Sequence, residues 1–172
     1  GVKTNGTLWV WGSNSEGQLG QTAHAAPFNS SSPMQIGTGT DWDKIMGSTN
    51  GGNTVGAIKT DGTLWMWGKN SYGGCGVNDN TSRSSPVQVP GTTWTDVESG
   101  GVGGAGSANV LARKSDGTLW AWGVQDGDQD GGLGQNNVVN YSSPVQIAAS
   151  GTNTWSVISA GQGYGGGIQA EG

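Results

Sequence analysis

The sequence predicts an all-β fold, and three observations carry that expectation. One phrase recurs as "TNGTLWVWG" at Thr4 to Gly12, "TDGTLWMWG" at Thr60 to Gly68 and "SDGTLWAWG" at Ser115 to Gly123. Its leading tryptophans, Trp9, Trp65 and Trp120, lie 56 and 55 residues apart, and a fixed period of this size marks a repeat architecture. Glycine supplies 35 of the 172 residues and apolar residues show no helical period, which makes helices poor candidates. Each phrase also sets Asn-Gly or Asp-Gly between two apolar runs, a hairpin signal.

Each repeat reads as four short strands. The first two flank Asn5-Gly6, Asp61-Gly62 or Asp116-Gly117, pairs suited to a tight turn because both positions tolerate positive φ. A Gly/Asn/Ser-rich loop follows. The third strand is "SSPMQI" at Ser31 to Ile36, "SSPVQV" at Ser84 to Val89 and "SSPVQI" at Ser142 to Ile147, opened by a proline that suits an edge or first position. The fourth carries a further tryptophan: "DWDKI" at Trp42, "TWTDV" at Trp94 and "TWSVI" at Trp155. The copies run 1–56, 57–111 and 112–166, and residues 167–172 begin another, since "GIQAEG" at the end aligns with "GVKTNG" at the start. Residues 1–172 are expected to be one partial domain.

Strand residues two apart share a face, so Trp65 and Trp67 point one way and Leu64 and Met66 the other. A strand apolar on both faces must be covered on both. A β-propeller of four-stranded blades supplies that cover, because each blade is sandwiched between its neighbours. All nine tryptophans, Trp9, Trp11, Trp42, Trp65, Trp67, Trp94, Trp120, Trp122 and Trp155, are thereby expected to be structural residues of the repeat core. Propellers close with roughly four to eight blades, so three repeats are expected to belong to a larger or oligomer-closed propeller. The remaining blades would come from the same or neighbouring chains.

The phrase K-[ST]-[DN]-G-T-L-W-x-W-G, followed by "SNSEGQLG" at Ser13 to Gly20, resembles the repeat of the regulator-of-chromosome-condensation family of β-propellers. Its bacterial and phage type is the nearest in style. The second copy departs as "SYGGCG" at Ser71 to Gly76, and the third has an enlarged loop. Where the family often carries a histidine before the first strand, this chain has Thr54, Asn109 and Tyr164. The resemblance implies a non-catalytic structural or recognition module that binds other protein chains. The expectation drawn from it is a virion component, capsid or tail appendage, or a secreted bacterial surface protein, located in the virion or outside the cell. The alternatives are an intracellular adaptor or guanine-nucleotide exchange factor for a small GTPase, and a carbohydrate-binding module using exposed tryptophans.

Composition bears on other classes. The formal net charge is -5 and the seven basic residues are scattered, which offers no stripe for phosphates and argues against nucleic acid. No apolar run approaches the roughly 20 residues of a membrane span. The single cysteine, Cys75, leaves no internal disulfide framework. His24, the lone histidine, sits in the irregular polar loop "QTAHAAPF" and is read as a solvated loop residue rather than a catalytic base, so no enzyme activity is expected, and no bound cofactor beyond a calcium ion. "GVGGAG" at Gly101 to Gly106 fits a dinucleotide fingerprint but precedes a strand, and is read as a blade-to-blade connection. "DGDQDG" at Asp126 to Gly131 has two readings. Asp126, Asp128 and Asp130 match the start of a calcium loop, or they form a solvated acidic loop; the twelfth position is Asn137 rather than a bidentate Glu.

Overall fold

The computed structural model describes residues 1–21, 28–46, 48–49, 53–102, 107–125, 131–148 and 154–169. These form strands β1 (Trp9–Gly12), β2 (Ser30–Gln35), β3 (Trp42–Ile45), β4 (Ser48–Thr49), β5 (Thr54–Lys59), β6 (Leu64–Gly68), β7 (Arg83–Gln88), β8 (Trp94–Val102), β9 (Ser107–Lys114), β10 (Leu119–Gly123), β11 (Tyr141–Gln146), β12 (Trp155–Gly161) and β13 (Tyr164–Gln169). No helix occurs among the described residues.

The sheets cut across the sequence copies. One blade has the order β3-β5-β6-β7, and the next has β8-β9-β10-β11 with the short β4 added parallel to β8. The tryptophan strand that ends one copy therefore opens the next blade. Consequently the chain carries half a blade at each end, β1-β2 at the start and β12-β13 at the finish.

Between blades lie three apolar seams. The first joins Leu8, Val10, Leu19 and Ile36 to Trp42, Ala57 and Trp67. The second repeats it with Leu64, Met66, Cys75 and Val89 against Trp94, Ala112 and Trp122. The third gathers Leu119, Ala121 and Leu133 with Ile158 and Ala160. Alternation along β6 explains the pattern, since Leu64 and Met66 serve the seam ahead while Trp65 and Trp67 serve the seam behind. The indoles meet edge to face, with centroids 6.4 Å apart for Trp42 and Trp65, 6.1 Å for Trp94 and Trp120, and 6.0 Å for Trp94 and Trp122. That geometry suits the aromatic quadrupole. Lysines cap two such pairs: Lys59 Nζ lies 4.9 Å from the centroids of both Trp42 and Trp65, and Lys114 Nζ lies 4.6 and 4.3 Å from those of Trp94 and Trp120.

Two local expectations are corrected. Positive φ occurs at Gly62 (+77°) but not at Asp61, so the hairpin is a three-residue loop of a type I turn closed by a left-handed glycine. Lys59 O accepts from Gly62 N at 2.9 Å, and Lys59 N donates to Thr63 O at 2.9 Å. The reason lies in the side chain, which this turn aims at the next threonine. Second, Gly101 and Val102 pair with Ala108 and Ser107 inside one sheet. The glycine-rich segment thus joins two strands of the same blade rather than two blades, because its flanks are antiparallel neighbours.

A candidate protein-binding rim

Antiparallel alternation sends the hairpin turns to one rim of the blades and the loops after each W-x-W-G strand to the other. At the hairpin rim the repeated phrase builds a relay. Asp61 Oδ1 accepts from Thr63 N at 2.9 Å and from Thr63 Oγ1 at 2.7 Å, and Thr63 Oγ1 accepts from Trp65 Nε1 at 3.0 Å. Asn5, Thr7 and Trp9 repeat it, as do Asp116, Thr118 and Trp120. These hydrogen bonds from Thr63 and Thr118 hold the Asp61 and Asp116 carboxyls below the usual carboxylate range. Each turn also receives the chain entering the next blade: Trp42 N donates to Gly6 O, Trp94 N to Gly62 O and Trp155 N to Gly117 O, at 3.1, 2.9 and 2.9 Å.

The opposite rim is pinned at its base and varied at its tips. A buried amide organises each loop: Asn14 Oδ1 accepts from Leu19 N at 2.9 Å, Asn70 Oδ1 from Cys75 N at 2.7 Å, and Gln125 Oε1 from Leu133 N at 3.1 Å. The two ends of each loop are then clasped, by Asn14 N to Asn29 Oδ1 at 3.0 Å, Asn70 N to Ser82 Oγ at 3.2 Å and Gln125 N to Asn140 Oδ1 at 2.7 Å. In the second loop Asn70 Nδ2 also donates to Asp79 Oδ1 at 3.1 Å, and Asp79 pairs with Arg83. The backbone hydrogen bond from Thr81, followed by the Arg83 pair, lowers the Asp79 pKa despite some desolvation. On this fixed base stand exposed apolar side chains: Tyr72 at 42%, Val138 at 56% and Val139 at 53%, with Phe28 also exposed in the first loop.

The residues marked in the sequence fall into three groups. Trp42, Trp67, Trp94 and Trp122 are buried, Trp9, Trp65, Trp120 and Trp155 are half-buried, and Trp11 is 56% exposed. Asp126, Asp128 and Asp130, together with His24, lie outside the described residues. Cys75 is buried in the second seam, and desolvation pushes its thiol up to about 12, which leaves it protonated and unreactive at neutral pH. Sequence reasoning missed the loop-organising amides; their signal was the Asn or Gln two residues after each W-G pair, at Asn14, Asn70 and Gln125. Two of the residues that stand where the family often carries a histidine find backbone acceptors that the sequence did not indicate. Thr54 Oγ1 donates to Lys69 O at 2.8 Å, and Asn109 Nδ2 reaches across the third seam to Gly161 O at 3.1 Å.

Four-stranded antiparallel sheets stacked through aromatic seams define this as a β-propeller protein built of repeats. The model of the regulator of chromosome condensation (RCC1) repeat matches residues 5–58, 61–102 and 116–166, and the chain belongs to that family. The human E3 ubiquitin-protein ligase HERC2 is 28% identical over 147 residues, which are 85% of this chain and 3% of that protein. The X-linked retinitis pigmentosa GTPase regulator of Canis lupus familiaris is 37% identical over 86 residues, 49% of this chain and 8% of that protein. The fold is shared with Prp20p from Saccharomyces cerevisiae, described with its binding to Gsp1p and histones, at a TM-score of 0.78 and 16% identity over 99% of this chain and 41% of that one. The chain thus spans less than half the length of each of these proteins. Propellers of this family are typically non-catalytic, and the ligase names belong to proteins in which the matched stretch is a minor share.

Proposed function

We propose that this chain is part of a non-catalytic propeller that binds protein partners through its loop rim, as a regulator or adaptor. The observation that carries the reading is the set of exposed Tyr72, Val138 and Val139 side chains on loops whose bases are clasped by buried amides. Apolar anchors on a rigid, weakly charged support fit the centre of a protein interface, where charge is depleted and ordering costs are small. The relatives support this, since Prp20p is described by its binding to Gsp1p and histones and another relative is named a GTPase regulator. A small GTPase, bound and stimulated to release nucleotide, is the finer form of the proposal.

A second reading, a virion or extracellular surface structural protein, draws on one observation, the low charged content of 11%. Carbohydrate binding has less support, because eight of the nine tryptophans are at least half-buried. The test is affinity capture from the source organism with the wild-type chain and with a Tyr72→Ser, Val138→Ser, Val139→Ser variant of equal melting temperature. One defined protein lost from the variant supports the rim. Equal capture by both removes it, and isolation of the chain within a large symmetric particle favours the structural reading.

A further inference from the structure

Two places on the hairpin rim carry the same tryptophan and lysine but differ in one residue. In the first, Trp42 faces Lys59 across β3-β5, and in the second Trp94 faces Lys114 across β8-β9. The residue before each tryptophan holds the same backbone position, since Thr60 N donates to Asp41 O and Ser115 N to Thr93 O, both at 2.8 Å. It is an aspartate in one case and a threonine in the other. Asp41 Oδ2 pairs with Lys59 Nζ at 3.0 Å. Its Oδ1 and Trp42 Nε1 flank one point over Gly39, 2.9 and 3.8 Å from where a Cβ would stand.

The second place keeps the donors and lacks the carboxylate. A Cβ on Gly91, three residues before Trp94 as Gly39 is before Trp42, would stand 3.5 Å from Lys114 Nζ and 3.8 Å from Trp94 Nε1, and no other atom beyond the adjoining residues lies as near. Trp94 is 2% exposed, and its Nε1 is buried with no hydrogen-bond partner among the described residues. Such a donor has lost its hydration without a compensating bond. Lys114 Nζ, poised over the Trp94 and Trp120 rings, makes no ion pair among the described residues. Asp116, two residues on, is committed to Thr118. Gly91, Thr92 and Thr93 are exposed, so the two nitrogens converge just below the surface. The third repeat does not reproduce the pair: Trp155 Nε1 is unpartnered too, but Gln169 stands in the place of the lysine.

We propose that Gly91, Trp94 and Lys114 form a binding site for one external carboxylate, which takes the place that Asp41 fills beside Trp42 and Lys59. One oxygen accepts from Trp94 Nε1 and the other from the Lys114 ammonium, the second bond being charge-assisted. Gly91 brings no side chain to the space between them. Phosphate suits the site less, because a single ammonium in a chain of net charge -5 leaves its second charge unneutralised. The site lies on the rim opposite Tyr72, Val138 and Val139, and nothing in this inference depends on the loop rim.

The test is an NMR titration of the ¹⁵N-labelled chain with sodium acetate and, separately, with the blocked peptide acetyl-Gly-Glu-Gly-amide, with sodium chloride as the ionic-strength control. The Trp94 Nε1 resonance should move downfield and saturate with either carboxylate, and stay in place with chloride. Lys114→Gln should weaken binding by about tenfold. Thr93→Asp supplies the carboxylate from within, at an exposed position whose φ of +69° aspartate tolerates better than threonine. Its Trp94 resonance should start near the acetate-saturated position and no longer respond. Should Lys114→Gln lower the melting temperature, Thr93→Asp decides alone. A peptide that binds more tightly than acetate assigns the site to an acidic side chain of a partner protein, and one that binds no more tightly assigns it to a free carboxylate. A Trp94 resonance that ignores both carboxylates, that follows chloride equally, or that still responds fully in Thr93→Asp overturns the proposal.

Discussion

The two rims of this propeller segment are built to opposite specifications. At the hairpin rim, Asn5, Asp61 and Asp116 perform one task on Thr7, Thr63 and Thr118, and the same indole nitrogen is satisfied each time. At the loop rim only the base repeats, while the tips carry Phe28, Tyr72 or a Val138 and Val139 pair. Repetition therefore records packing, and departure from repetition marks the surface available for a partner. A polar group drawn out of water is best kept hydrogen-bonded, which favours the same acceptor for the half-buried indole nitrogen at each turn of the first rim. No such demand acts on an exposed tip.

The largest effect that would sharpen this contrast is at the seams. Trp122→Ala should cost about 3–5 kcal/mol in urea unfolding, because it opens a cavity beneath Trp94 and leaves Gly74 O without its donor. Trp11→Ala, at the same repeat position but exposed, should change the stability by less than about 1 kcal/mol. Similar costs at the two sites would mean that the first unit is packed differently. Next in size is Thr63→Val, which keeps the shape and breaks the relay. It should destabilise by about 1 kcal/mol, with the Trp65 Nε1 resonance shifting in the ¹⁵N spectrum. Smaller still is Val138→Ser at the loop rim, expected within about 0.5 kcal/mol of the parent. A large loss there would break the contrast, since it would make the tip part of the core.

Much of this organisation is legible in the sequence, for a physical reason. The W-x-W-G phrase fixes which face each side chain takes, because strand alternation leaves no freedom once Leu64 and Met66 oppose Trp65 and Trp67. Blade boundaries are less legible. The period shows how long a unit is but not where a sheet begins, and only pairing of β3 with β5 reveals that a blade starts at Trp42. The turn expectation failed at Asp61 because dipeptide preference ignores the side chain's own hydrogen bonds. The loop amides stayed hidden for a similar reason: an Asn among many Asn and Ser residues carries no mark of burial. The looser packing of Ile147 shows only by comparison, when it is set beside Ile36 and Val89.

Acid should act on the two kinds of carboxylate in opposite directions. Asp61 and Asp116 have lowered pKa values from the Thr63 and Thr118 hydrogen bonds, so their contribution is present above the unfolded-state pKa and is lost as pH falls through the folded one. Asp96 behaves the same way. Burial opposes its ionisation, but Lys44 at 2.7 Å and the Arg113 guanidinium outweigh that burial and lower its pKa. Glu98, two residues on, is raised by burial and then by Asp96, so its ionisation at neutral pH works against folding. Glu98→Gln should therefore raise the melting temperature slightly at pH 7 and lose that advantage below the ordinary glutamate range. A melting series over pH on the parent and this variant reads both effects. Curves that stay parallel would show that Glu98 titrates as in the unfolded chain, and that neither its burial nor the Asp96 charge governs it.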